Sequence, residues 1–195
     1  MTKPLIIGIT GYKRSGKDTV ARILHNKLTN LGYDVEKYML ASLIKTTLSN
    51  LTELNLKQLE HIKDDPVMLD PLFTYRDILI AIADRYKEKH GEYIHYKYMR
   101  HHILNDCPDV AIITDIRYPY EADLIKKDFP NTHIIKIYRP GIEVDTSHSS
   151  ETSVKHINDD TVIINDSSVK DLENKIEIIL NNYLTDKLKI IKEDI

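Results

Sequence analysis

Leu5-Ile6-Ile7-Gly8-Ile9-Thr10 runs directly into Gly11-Tyr12-Lys13-Arg14-Ser15-Gly16-Lys17-Asp18-Thr19, and a helical pattern follows. Val20, Ile23, Leu24, Leu28 and Leu31 recur three and four apart and share one face, while Arg22, His25 and Lys27 fall away from it. The stretch therefore reads as strand, phosphate loop, helix. The loop fits G-x-x-x-x-G-K: its glycines let backbone N–H groups turn inward on a phosphate, the helix N-terminus adds its dipole, and Lys17 reaches the outer phosphates. An accidental Gly/Lys turn is the alternative, but it has no reason to open a helix directly behind an apolar strand. The loop departs from the usual pattern at one position. The Ser or Thr expected after the lysine, whose hydroxyl would bind Mg²⁺, is Asp18, and the hydroxyl comes one residue later at Thr19. A carboxylate there is costly unless a metal or a cation offsets it, so Asp18 is expected to hold Mg²⁺, directly or through water, with Thr19 bonding a phosphate. A purely local role for Asp18, favouring the helix N-terminus, is the other reading.

Outward from this loop, 195 residues with 42% hydrophobic content can bury a core and are expected to form one domain, with an excursion at about 46–107 and a lid-like segment at about 140–160. A net charge of −3 gives no reason to expect polymeric nucleic acid as a partner. The single cysteine, Cys107, excludes an internal disulfide, suits a reducing compartment, and is expected as a small buried or half-buried side chain. Neither a signal-peptide pattern nor an apolar run of membrane-spanning length is present, so the expected place is the cytoplasm, or the host cytoplasm if the source is viral.

After the first helix, Gly32 suits a left-handed turn and residues 34–40 read as a second strand. Residues 41–45 open a helix carrying Leu43, Ile44, Leu48 and Leu51, and Lys45 on it is either solvated or a cation near a substrate. Between 52 and 71 the pattern breaks into short helical pieces at Asp65-Pro66 and Asp70-Pro71. Thr74 and Asp77 form a capping signal for a helix running to about 89 and closed by Gly91. Arg76 in its first turn opposes the helix dipole, which makes an anion partner as good a reading as a plain surface arginine. The stretch 93–105 is rich in Tyr, His, Lys and Arg, and it reads as a solvated helix, a nucleobase contact or, least well supported by its spacing, a metal site.

The run Val110-Ala111-Ile112-Ile113-Thr114-Asp115-Ile116-Arg117 suits a buried parallel strand that delivers Asp115 and Arg117 to the sheet edge where ligands bind. Asp115 would orient Mg²⁺ there; a simple helix N-terminal carboxylate is the blander reading. Pro119 starts a helix with Glu121 in its first turn. A strand at 133–138 brings Arg139 to the same edge, the polar stretch 142–160 suggests a lid, and 161–165 is a last strand. A final helix covers 169 to about 188, with Leu172, Ile176, Ile179, Leu180 and Tyr183 inward.

The pieces Lys-Arg-Ser-Gly-Lys-Asp-Thr (13–19), Ala-Ser-Leu-Ile-Lys (41–45), Thr-Asp-Ile-Arg-x-x-x-Glu (114–121), Tyr-Arg-Pro-Gly (138–141), Asp-x-x-His-x-x-Glu (145–151) and Ile-Asn-Asp (164–166) occur in this order. The series resembles the deoxynucleoside monophosphate kinase family of phages and their relatives. That resemblance implies a three-layer α/β P-loop kinase fold with a mostly parallel sheet and mobile lid and acceptor-binding segments. It implies ATP with Mg²⁺ as donor and a deoxynucleoside 5′-monophosphate as acceptor; a homodimer is left open by the sequence. It places ATP on Arg14, Ser15, Gly16, Lys17, Asp18 and Thr19, and the acceptor near Lys13, Arg76, Asp115, Arg117, Glu121 and Arg139. Lys17, Arg14, Arg117 and Asp115 become the catalytic set, with Asp18, Thr19 and Asp115 at the metal. The chain has no Trp to meet the base, and Tyr93, Tyr96 or Tyr98 are the substitutes. Two other readings share the loop: a kinase of the phosphomevalonate type, and a P-loop module that hydrolyses ATP without an acceptor.

Overall fold

The computed structural model describes residues 4–67, 70–144, 149–184 and 188. By internal contacts the chain divides into two compact units, residues 1–39 with 103–195, and residues 40–102.

The first unit is built on a five-stranded parallel sheet of β1 (Leu5–Gly11), β2 (Val35–Tyr38), β5 (Val110–Ile116), β6 (Thr132–Tyr138) and β7 (Thr161–Ile164), in the order β2, β5, β1, β6, β7. β1 is central and buried along its whole length, which is why its sequence is a continuous apolar run instead of an alternating one. Leu5, Ile7 and Ile9 point to one face. There they join Val20, Leu24 and Leu28 of α1 (Lys17–Asn30) and Leu172, Ile176 and Ile179 of α8 (Val169–Ile179) in a single core cluster. Leu24 is wholly buried in that cluster, so truncation to Ala is worth about 2–5 kcal/mol. α6 (Pro119–Asp128) joins β5 to β6 and buries Ala122 and Ile125.

The expected face of α1 holds except at its end. Leu31 follows the last helical residue and is exposed, and Gly32 (φ 87°) makes the left-handed turn. The final helix is shorter than its apolar pattern, because α8 stops at Ile179 and a π turn covers Leu180–Leu184. Leu172, Ile176, Ile179 and Leu180 are buried as expected, while the Tyr183 side chain lies outside the described residues. Cys107 is exposed, contrary to expectation. It takes a left-handed conformation (φ 49°) just past a helix end, where its thiol donates to the Leu104 carbonyl at 2.9 Å at the surface.

The second unit contains α2 (Ser42–Thr52), α3 (Leu56–Ile62), a two-stranded antiparallel ribbon of β3 (Pro66–Val67) and β4 (Asp70–Thr74), and α4 (Tyr75–His90). The two proline breaks thus belong to a ribbon, not to broken helices. Thr74 caps α4 with Asp77 in a reciprocal capping box, and Gly91 ends the helix. Lys45 pairs with Glu60 of α3 at 3.1 Å. α5 (Ile94–Asp106) carries the basic aromatic stretch, and its last turn belongs to the first unit. Tyr96 is buried on α5 and so is not available to stack on a base, whereas Tyr93 is exposed.

Candidate active site

β1 ends at Gly11 and α1 begins at Lys17, so the phosphate loop lies at the C-terminal edge of the central strand. Two of its residues must be glycine. At Gly11 (φ 147°) an added Cβ would lie 2.5 Å from the carbonyl oxygen of Ile137 on β6. At Gly16 (φ 102°) it would lie 2.4 Å from Asn165 Nδ2, which donates to the Ser15 carbonyl at 2.8 Å and so braces the loop from behind. Arg14 takes a left-handed conformation (φ 66°) with an exposed side chain, an unusual state for a non-glycine residue and one that clusters at functional sites. No side chain caps α1, which leaves its first N–H groups for an anion.

Lys17 folds back over the loop and donates to the carbonyls of Gly11 and Tyr12, both at 2.8 Å. Burial, and next the Arg117 guanidinium, bring its ammonium down to about 8, against the opposing pull of Glu151, Asp18 and Asp115. Arg117, Glu151, Asp18 and Asp115 therefore all lie within electrostatic reach of Lys17.

β5 and the turn after it supply the other half of the site. Parallel pairing sets Ile116 opposite Thr10, so the chain leaves β5 beside the start of the phosphate loop. Glu121 turns back from the first turn of α6, and one of its oxygens accepts the N–H groups of Arg117 (2.8 Å) and Tyr118 (3.0 Å). Burial pushes that carboxyl up to about 7, although both N–H bonds favour the charged form. The Arg117 Nη1 nitrogen donates to Glu151 at 2.6 Å, and the other oxygen of Glu151 accepts the Lys13 N–H at 2.9 Å. Glu151 lies in α7 (Ser149–Thr152) and is buried. Beside it the hydroxyls of Tyr118 and Ser149 are 3.1 Å apart.

The first unit thus brings together Lys13, Arg14, Ser15, Gly16, Lys17, Asp18, Thr19, Asp115, Arg117 and Glu121 along one sheet edge. Ser15 is buried, Asp18 is exposed, and Thr19 and Asp115 are half-buried. Arg139 is exposed and directly follows β6, the other neighbour of β1. Arg76 belongs to the second unit. Its anion partner there is Asp64, at 2.6 Å. No group of three or more His, Cys, Asp or Glu side chains able to hold a metal occurs among the described residues. Sequence reasoning left Glu151 out of the site. Its only signal was its place in Asp-x-x-His-x-x-Glu, whose Asp145 and His148 lie outside the described residues.

The family described as deoxynucleotide monophosphate kinase matches residues 5–70 and 76–176, nearly the whole chain. The chain belongs to that family. A protein of Acanthamoeba polyphaga mimivirus assigned as a deoxynucleotide monophosphate kinase is 27% identical over 194 residues, covering 91% of this chain and 97% of the relative. Among solved structures, TT1252 from Thermus thermophilus superposes with a TM-score of 0.50 at 19% identity, covering 93% of this chain and 99% of that one. The APS kinase of Mycobacterium tuberculosis gives 0.49 at 16% identity, covering 93% of this chain and all of that one. The chain is accordingly a nucleotide kinase of the three-layer α/β P-loop type, and its family implies ATP as donor with a divalent metal. No helix among the described residues is long and apolar enough to cross a membrane.

Proposed function

We propose that the protein transfers the γ-phosphoryl of ATP to a deoxynucleoside 5′-monophosphate at the edge formed by the phosphate loop and the end of β5. The observation that carries this reading is the tie between the two halves of that edge: the Glu151 carboxylate accepts the Lys13 N–H of the phosphate loop at 2.9 Å and the Arg117 guanidinium at 2.6 Å, which sets a second cation beside the loop that holds Lys17. Two like charges held together are relieved by an anion between them, and a transferring phosphoryl group is such an anion.

Lys17 exchanges its two loop carbonyls for donor phosphate oxygens. The loop amides, with Arg14, Ser15, Gly16 and Thr19, cradle the same phosphates, a role the bracing by Asn165 supports. Arg117 grips acceptor phosphate oxygens, since a guanidinium fork can make two parallel bonds to them. Lys13 and Arg139 add charge on the acceptor side. Glu121 serves the acceptor indirectly, by holding the Arg117 backbone. The chemistry of the donor set fits Mg²⁺, which takes one or two carboxylates and completes its shell with phosphates and water: Asp18 follows the loop lysine and is exposed, Asp115 lies near the end of β5, and Thr19 adds a hydroxyl. When bound, the ion would neutralise charge building on the donor phosphates. No general base is required, because the acceptor phosphate is already ionised at neutral pH. We place the reaction in the cytoplasm, the host's if the source is viral.

A coupled assay of ADP formation with the four common deoxynucleoside monophosphates, their ribose counterparts and phosphomevalonate tests the reading. ADP should form only with a nucleoside monophosphate, and faster with the deoxy form. Turnover with phosphomevalonate alone, or steady phosphate release with no acceptor, overturns it.

A further inference from the structure

We propose that Glu151 is a positioning residue for the transfer: its carboxylate ties the phosphate-loop backbone at Lys13 to the Arg117 guanidinium, and thereby sets where Arg117 presents its remaining donors. The proposal rests on the acceptor role given to Arg117 above.

Glu151 takes one bond on each oxygen, from two segments that are distant in sequence: the Lys13 N–H at 2.9 Å and Arg117 Nη1 at 2.6 Å. Its side chain is only 6% exposed, against 38% for Arg117. A buried carboxylate next to a site that must receive polyphosphate repels the ligand and is costly to desolvate, so it needs a compensating use. The geometry supplies one. A guanidinium has five N–H donors in a rigid fork, and engaging one terminal nitrogen fixes the plane of the rest without consuming them. Glu121 already holds the Arg117 backbone at 2.8 Å, so the two carboxylates secure the side chain at its root and at its tip. The Tyr118–Ser149 hydroxyl contact joins the same two segments, one residue after Arg117 and two before Glu151, which makes the tie a pair of contacts instead of one. Through Lys13, the carboxylate also couples the entry of the phosphate loop to the position of Arg117.

A simple structural ion pair would behave differently. Its loss would lower stability and weaken ATP and acceptor alike. A positioning role acts through Arg117 and vanishes when Arg117 is gone. The test is a double-mutant cycle on kcat/KM for the deoxynucleoside monophosphate that turns over fastest, using Glu151→Gln, Arg117→Ala and the double variant, with ATP Kd measured by a fluorescent analogue. Glu151→Gln alone should lower acceptor kcat/KM roughly ten- to a hundredfold, the cost of a small misplacement at a reacting centre, with ATP Kd changed less than about twofold. In the Arg117→Ala background it should cost less than about a further twofold. A Glu151→Gln loss that persists in full without Arg117, or that falls equally on ATP, overturns the inference. So does a silent Glu151→Gln beside a defective Arg117→Ala, and in that case Arg117 keeps its acceptor role. A silent Arg117→Ala removes the acceptor assignment and this inference with it. If Glu151→Gln fails to fold, Glu151→Asp, which keeps the charge and shortens the reach, enters the same cycle under the same criteria.

Discussion

Lys17 spends its free state bonded to two carbonyls of its own loop, and a phosphate must offer it more than they do. Lys17→Ala should cut phosphoryl transfer by about a thousandfold with the fold intact, because it removes a charge that matters most in the transition state. A folded variant that keeps most of its turnover would refute that role. With its ammonium at about 8, the free enzyme keeps a charged Lys17 below that pH and loses it above. The kcat/KM profile should therefore fall on the alkaline side near pH 8, and a profile flat to pH 10 would contradict it. Glu121 titrates in the opposite sense for stability. Burial raises its carboxyl from 4.5 to about 7, so the folded state holds a proton that the unfolded chain releases. Its contribution is present below about pH 4.5 and is lost as pH rises to about 7, by at most about 3 kcal/mol. Glu121→Gln, whose amide oxygen can accept the same two N–H bonds, should flatten that part of the pH–stability curve in urea titrations, and an unchanged slope would place its origin elsewhere.

At the scale of elements, the phosphate loop is fixed by its neighbours as much as by its own glycines. Gly11→Ala would set a methyl against the Ile137 carbonyl, a backbone atom that cannot swing aside, in a conformation that side chains rarely adopt. The expected loss is on the order of 2–3 kcal/mol, read as a lowered urea midpoint together with weaker ATP binding. An alanine variant of wild-type stability would mean the loop has another conformation available. The strand, loop and first helix were legible because each signal was local: a continuous apolar run, two glycines and a lysine at fixed spacing, and a repeat of three and four. The ribbon was not legible. β3 has two residues and β4 five, with a proline in each, too little for alternation to register. On α5 the buried Tyr96 sits among polar neighbours, so composition pointed to a surface where the helix in fact has an inward face.

For the molecule as a whole, the fold gathers charges from separated parts of the sequence onto one edge of the parallel sheet. Spacing could place Asp115 and Arg117 there, because they end a recognisable strand. It could not reveal that Glu151 meets Lys13, a contact 138 residues apart along the chain. Nor could it show that Glu121 turns inward to hold a backbone. If Asp18 helps hold Mg²⁺, Asp18→Asn should need roughly several-fold more Mg²⁺ for half-maximal rate, since a neutral amide is a poorer ligand for a hard cation. Superimposable Mg²⁺ titrations would leave Asp18 with a helix N-terminal role only. The central claim is that donor and acceptor phosphates meet at this edge, with Lys17 on the donor and Arg117 on the acceptor. The most direct measurement compares Arg117→Ala with wild type in acceptor KM and kcat, and in ATP Kd. The account predicts a large loss confined to the acceptor, with ATP Kd changed less than about twofold; unchanged acceptor kinetics, or a loss falling mainly on ATP, would contradict it.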